Sequence, residues 1–223
     1  MARLFTYCLR IDDGAAPNPF WGVCSLVICK PVIRRTAHEG DWVVGTGSKN
    51  VRGQDFARKV VYAMRVSRVL SMRDYEVFVR KELPNKVPDW RHRDGRRRVG
   101  DAIYDFRTDP PTVRASVHDK RNRARDLGGI NALLSDHFFY FGSQPVDLPE
   151  DLWPVVRQGQ GHQVNKNAPY KERFIDWVEG LDIKPNTVVA EPQYPFPEGE
   201  AGACACSHLE EAEADEAVAG CAE

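Results

Sequence analysis

Near neutral pH, the histidines are the first residues of this chain to weigh for chemistry, because imidazole titrates there without help from its surroundings. His118 closes a strand-like run, Ser116-Val117-His118-Asp119, where a strand would hand a side chain to a site. His162 lies in a polar, glycine-flanked loop, Gly159-Gln160-Gly161-His162-Gln163. These two are the candidate catalytic bases, with Asp12 as the carboxylate partner. His137 sits inside an aromatic strand and reads as packed. Cys24 and Cys29 would be nucleophiles if a base stood beside them. Five residues apart in an apolar run, they face opposite sides of a strand and read as structural cysteines.

Binding chemistry concentrates in Asp12-Asp13-Gly14-Ala15-Ala16-Pro17-Asn18-Pro19-Phe20-Trp21-Gly22, between strand-like runs 4–10 and 23–29. That connection is longer than a tight hairpin needs, and its prolines stiffen it into an arch. It has the composition of a ligand-reading loop, although the same residues also make an ordinary turn bonded to its own backbone. In the ligand reading, Asp12 and Asn18 meet a base edge, and Trp21 or Trp42 stacks on it. Lys30, Arg34 and the run Arg96, Arg97, Arg98 would hold phosphate. The surrounding segment, Arg91 to Arg98, would give salt-sensitive affinity through counterion release, and Trp90 at its edge is another stacking surface.

Several chemistries lack their signatures. The chain has no phosphate-binding Gly-x-x-x-x-Gly-Lys-Ser/Thr loop, no dinucleotide fingerprint, no Gly-x-Ser-x-Gly elbow, and no zinc-deaminase pair of motifs. No cofactor is expected. Cys204, Cys206, His208 and Cys221 match no common zinc spacing, so no metal site is expected either.

Charge is unevenly divided. Residues 191–223 hold nine of the 32 acidic residues and none of the 31 lysines and arginines, so the rest carries about eight net positive charges. A basic body favours a polyanionic partner, and the acidic segment could fold back on it or dock a partner enzyme. No run of eighteen apolar residues suggests a membrane span, and the start lacks the apolar stretch of a signal peptide, so a cytoplasmic protein is expected.

The elements that must position these residues are mostly strands. Patterning predicts strands at 4–10, 23–29, 42–47, 102–106, 113–117 and 136–141, and one long strand over 59–70. Ser71, with Asp74 three residues on, predicts a capped helix running to Lys81 and stopped by Pro84. A second helix is expected from Tyr170 to Gly180. The fold class is α+β with a mostly antiparallel sheet, over residues 1–185. Residues 186–223, proline-rich and then Ala/Glu-rich, are expected to be a disordered tail.

The pattern Arg10-x-Asp12-x-Gly14-x-Ala16-Pro17-Asn18-Pro19-Phe20-x-Gly22-x-Cys24-x-Leu26 is followed by Cys29-Lys30-Pro31-x-Ile33-Arg34 and Gly40-Asp41-Trp42-x-x-Gly45-Thr46-Gly47. Together with Tyr62-Ala63-Met64-Arg65-Val66, Gly100-Asp101-Ala102-Ile103-Tyr104, Phe138-Phe139-Tyr140-Phe141-Gly142 and Gly161-His162, it resembles the nucleotide modification associated domain 2 family over residues 3–180. The resemblance implies a bacterial or phage setting in systems that modify DNA bases, and no specific reaction. Ala102 stands where that pattern leads one to expect Asn. The Gly40-Asp41 turn, the strand 63–69 and the capped helix after it are also similar to PUA-like domains of the ASCH and EVE groups, which makes a PUA-like barrel one form for the sheet. The leading function is recognition of a nucleotide or modified base. Its alternatives are a transferase or hydrolase acting on a modified nucleotide, and an interaction protein that docks a partner through its acidic tail.

Overall fold

Strand alternation sends successive residues of the central strands into two different cores. In β1 (Leu4–Cys8), Leu4 packs to one side and Phe5 to the other, and in β3 (Trp42–Thr46), Trp42 and Val44 oppose Val43. β4 (Lys59–Arg65) also feeds both cores, Val60 and Ala63 in one and Val61, Tyr62 and Met64 in the other, the alternation being broken where its register with β3 shifts at Gly45 and Thr46. Both faces being covered, the middles of these strands are mainly apolar rather than alternately polar, which is the pattern of a sheet interior. The computed structural model that shows this arrangement describes residues 2–49, 51 and 53–194.

β1 and β3 pair in parallel, β3 and β4 antiparallel, and β4 pairs antiparallel with β9 (Phe138–Tyr140). β11 (His162–Gln163) borders β1, β12 (Thr187–Val188) borders β9, and β10 (Val146–Asp147) joins β4, giving a seven-stranded sheet. One face is covered by α5 (Lys171–Glu179), whose Phe174 and Val178 meet Leu152 and Val155. A three-stranded antiparallel sheet holds β2 (Cys24–Leu26), β8 (Asn131–Ser135) and β5 (Arg68–Ser71). Most pairings are antiparallel, and among the described residues neither sheet closes into a barrel.

The long strand expected over 59–70 is two strands in two sheets. Val66 N–H still bonds to Asp41 on the large-sheet side, while Ser67 N–H already bonds to Leu134 of β8. The chain thus changes sheets between adjacent residues, with polar Ser67 and Arg68 exposed at the crossing. α2 (Met72–Glu82) begins as its cap predicts: Ser71 Oγ accepts from Asp74 N–H at 3.1 Å and donates to the Asp74 carboxylate at 2.7 Å. Met72, Tyr75, Glu76 and Val79 form its buried face, at the i, i+3, i+4, i+7 spacing of a helix.

The 91–98 segment is more ordered than a free loop, ending in the short helix α3 (Gly95–Arg98). The hairpin of β6 (Tyr104–Asp105) and β7 (Thr112–Val113) follows. Packing continues beyond residue 185: β12 adds to the large sheet, and Gln193 is buried with its Nε2 donating to the Gly142 carbonyl. The acidic part of the expected tail, and its cysteines and His208, lie outside the described residues.

Candidate functional site

After β2 the chain does not continue as a strand. Cys29 and Lys30 both take left-handed backbone conformations, with φ of 58° and 40°, before α1 (Pro31–Thr36) begins. Two successive non-glycine residues there store strain, of about 1–3 kcal/mol each, that surrounding bonds must outweigh. Those bonds are present. Cys29 N–H donates to Asp126 Oδ1 at 2.9 Å, and the Cys29 carbonyl accepts from Arg34 Nε at 2.7 Å. Arg34 is wholly buried and also donates to the carbonyls of Asn131 and Asp126. The turn presents a half-buried thiol to a cleft.

His118 meets that thiol from the loop after β7, and Asp126 supports it from α4 (Arg123–Gly128). His118 Nε2 lies 3.6 Å from Cys29 Sγ, and Nδ1 lies 2.7 Å from Asp126 Oδ2. Tyr104 OH donates to the same carboxylate oxygen at 2.8 Å. Burial by itself lowers the His118 pKa, but Cys29 and Asp126 on either side outweigh it and hold the value well above that of ordinary imidazole. Burial by itself raises the Asp126 pKa, and His118, the Cys29 N–H and Arg34 reverse this to a net lowering. An ionised Asp126 therefore faces an imidazole disposed to take a proton, with the thiol on its far side. This is the order nucleophile, base, orienting carboxylate.

The same three side chains have the composition of a cation site, their ligand atoms lying within 4.8 Å of one another. Their order argues otherwise. The ring stands between sulfur and carboxylate, so the nitrogen facing Cys29 is not the one facing Asp126. Asp126 is already engaged by Cys29 N–H, Tyr104 and His118.

The cleft encloses about 930 Å³, part of it open to solvent. Leu9, Ile11, Ile28 and Val117 give it apolar walls, Arg10, Lys30 and Arg125 supply cations, and Gly159-Gln160-Gly161 closes one side. The Lys30 ammonium rests 4.8 Å from the centre of the Tyr7 ring.

Behind the cleft, the 12–22 loop is fixed by a buried polar network. Lys86 donates to Asn18 Oδ1 at 2.7 Å, to the Asn18 carbonyl at 3.1 Å and to Ser25 Oγ at 2.7 Å. Ser25 and Tyr75 in turn donate to Asp101 at 2.6 and 2.5 Å. Lys86, Asp101, Ser25 and Asn18 are all inaccessible to solvent.

Of the residues expected to act, the structure brings His118 and Lys30 to the cleft. His162 is on β11, buried against Phe5 and just outside the cleft wall that its neighbour Gly161 forms. Asp12 is not beside either histidine: both its oxygens accept from Tyr140 OH at 2.7 Å, and burial, partly offset by that bond, pushes its pKa up to about 7. Asn18 is spent within the core, its amide donating to the Gly14 and Val99 carbonyls. Arg34 braces Cys29 rather than facing a phosphate, and Trp42 is enclosed edge-on to His137. Arg97 bonds to Pro84 and Asn85, and Arg98 stays on α3 away from the cleft lining. Trp21 and Arg96 meet at a separate cleft.

Cys29 and Asp126 were not singled out as a pair by sequence. The 23–29 pattern predicts a strand, in which alternation makes Cys29 structural; the left-handed turn that frees it carries no glycine to announce it. Its signal was Lys30-Pro31, a proline at the first position of a helix, which ends the strand earlier.

The model of nucleotide modification associated domain 2 matches residues 1–198. No curated protein and no solved structure matches the chain.

Proposed function

We propose that this chain, which belongs to the nucleotide modification associated domain 2 family, is a cysteine-dependent transferase or hydrolase acting on a modified nucleotide. The family's name associates it with nucleotide modification. The observation that carries the reaction class is the His118 imidazole standing between the Cys29 thiol and the Asp126 carboxylate at the wall of a cleft. In this reading His118 takes the thiol proton as Cys29 sulfur bonds to an electrophilic carbon of the substrate. The protonated imidazole then returns that proton to the leaving group. Water, or an acceptor amine or alcohol, displaces the sulfur in the second half, with His118 again as base. Asp126 keeps Nδ1–H oriented throughout, and Tyr104 keeps Asp126 oriented. Arg10, Lys30 and Arg125 suit the anionic part of a nucleotide, and the apolar walls suit its base.

Recognition without chemistry, the leading expectation from sequence, would use the same cleft but has no need of the thiol–imidazole–carboxylate order. Two measurements separate the readings. Iodoacetamide should label Cys29 faster than Cys8 at neutral pH, and the advantage should fall at least about tenfold in H118A. Intact-mass analysis with a panel of modified nucleotides should show turnover, or an adduct on Cys29, that C29A abolishes. Equal labelling of Cys29 and Cys8, with nucleotide bound but never consumed, would leave recognition as the function.

A further inference from the structure

The 12–22 loop has two sides. Asp13, Ala15 and Ala16 line the cleft that holds Cys29, while Pro19, Phe20, Trp21 and Gly22 line a second one with Arg96, Phe138, Asn186 and Val188. The second cleft encloses about 410 Å³, part of it open solvent.

Three features there stand out. Trp21 is held at φ 69° beside Gly22 at φ 81° in the turn between Asn18 and Ser25, a conformation costly for a bulky side chain. Its indole Nε1 is buried with no hydrogen-bond partner. Arg96 lies 5.5 Å from the centre of the Phe20 ring and is paired with Glu191, both side chains being nearly half exposed. An exposed pair of this kind is weak, and a phosphodiester offers the guanidinium an equivalent two-oxygen partner of the same charge. Glu191 is kept in place through its backbone, whose carbonyl accepts from Ser143 N–H at 2.9 Å. Arg91 and Arg93 are exposed on the same segment, five and three residues before Arg96.

We propose that this second cleft binds single-stranded nucleic acid, one base against Trp21 and the adjoining phosphate on Arg96, with Glu191 occupying the phosphate position when no strand is present. The site does not depend on the reaction assigned to Cys29. A strand is favoured over a free nucleotide because the segment that carries Arg96 also exposes Arg91 and Arg93, and only a polymer would bring them further phosphates.

The test is fluorescence anisotropy of a labelled oligothymidylate of about 12 nucleotides on the full chain, at about 50 and about 200 mM salt. Binding should weaken at the higher salt. W21A and R96A should each weaken it by at least about fivefold, and E191A should tighten it by a few-fold. C29A should leave it unchanged, so failure of the catalytic reading does not touch this one. Folding of each variant is checked by its thermal midpoint. Because R96A and E191A alter surface side chains with opposite expected signs, they decide the matter even if W21A does not fold. No binding at low salt, E191A weakening or not altering affinity, or R96A binding as tightly as the unaltered chain would overturn the proposal. Thymidine monophosphate competing as well as the oligomer would overturn the assignment to a strand.

Discussion

Replacing Lys86 by methionine keeps the length of the side chain and removes a charge that no solvent reaches. Three bonds go with it, two to Asn18 and one to Ser25, and the Asp101 carboxylate loses its balancing cation. Breaking one side of a buried charge pair costs about 3–5 kcal/mol, because the other charge stays buried alone. For a chain of this size each kcal/mol lowers the midpoint by about 2–4 °C, so K86M should melt about 6–20 °C lower at pH 8. The pH dependence is the sharper part. Burial raises the folded-state pKa of Asp101, with Lys86 pulling it back down. A raised carboxyl contributes stability that is complete below the unfolded value of about 3.9 and lost as pH climbs through the folded value. Without Lys86 that folded value rises further, so the variant recovers as Asp101 takes up a proton. Lys86 itself acts in the same direction: burial depresses its pKa, so the unaltered chain gains stability as pH rises. The difference between the two proteins should therefore shrink from pH 8 to pH 5, as read by urea unfolding at both. K86M combined with D101N should recover much of the loss. A variant within about 1 kcal/mol of the unaltered chain at pH 8, or a gap that widens in acid, would refute the reasoning.

Two further outcomes follow from single positions. Asp12, with its pKa raised to about 7 by burial, loses its stabilising contribution as pH rises through that value. D12N should therefore gain about 2 kcal/mol on the unaltered chain between pH 5 and pH 8, by thermal midpoint at both; a constant difference counts against it. A Cβ at Gly129 would collide with the Arg34 guanidinium, which is fully buried and bonded to the Cys29, Asn131 and Asp126 carbonyls. G129A should cost about 2 kcal/mol or more and slow alkylation of Cys29, whereas unchanged labelling and midpoint would show that Arg34 does not brace the turn.

The fold was legible wherever local rules and tertiary packing agree. Ser71 and Asp74 announced α2, and the prolines at 110 and 111 marked the turn between β6 and β7. The 59–70 run misled because both of its halves are strands, and sheet membership changes through long-range bonds to Asp41 and Leu134 that no window contains. β8 and α4 went unseen: β8 mixes Asn131, Ala132 and Ser135 with only two leucines and no β-branched or aromatic residue, and α4 has six residues, too few for a helical period to register. At the site, His118 was visible as a titratable residue after a strand. Asp126 was not, because eight positions and a turn separate it from His118, and only folding sets its carboxylate against Nδ1. Asn18, Arg34 and Trp42 were the costlier misreadings. Polar and aromatic side chains in a rigid loop suit a ligand, but a core that must satisfy a buried lysine and a strained turn needs the same groups.

Residues 192–194 brace the loop that both clefts share. Tyr194 N–H bonds to the Asp12 carbonyl at 2.8 Å, and Pro192 lies so close to Gly14 that a Cβ there would stand 2.8 Å from its Cγ. Of everything in the described fold, this segment leaves the ribosome last. A nascent chain can thus assemble its two sheets and set His118 against Asp126 while the 12–22 loop still lacks its final support. Completion of the wall that both pockets share is in this way tied to the emergence of residues 192–194, the last part of the described fold to be made.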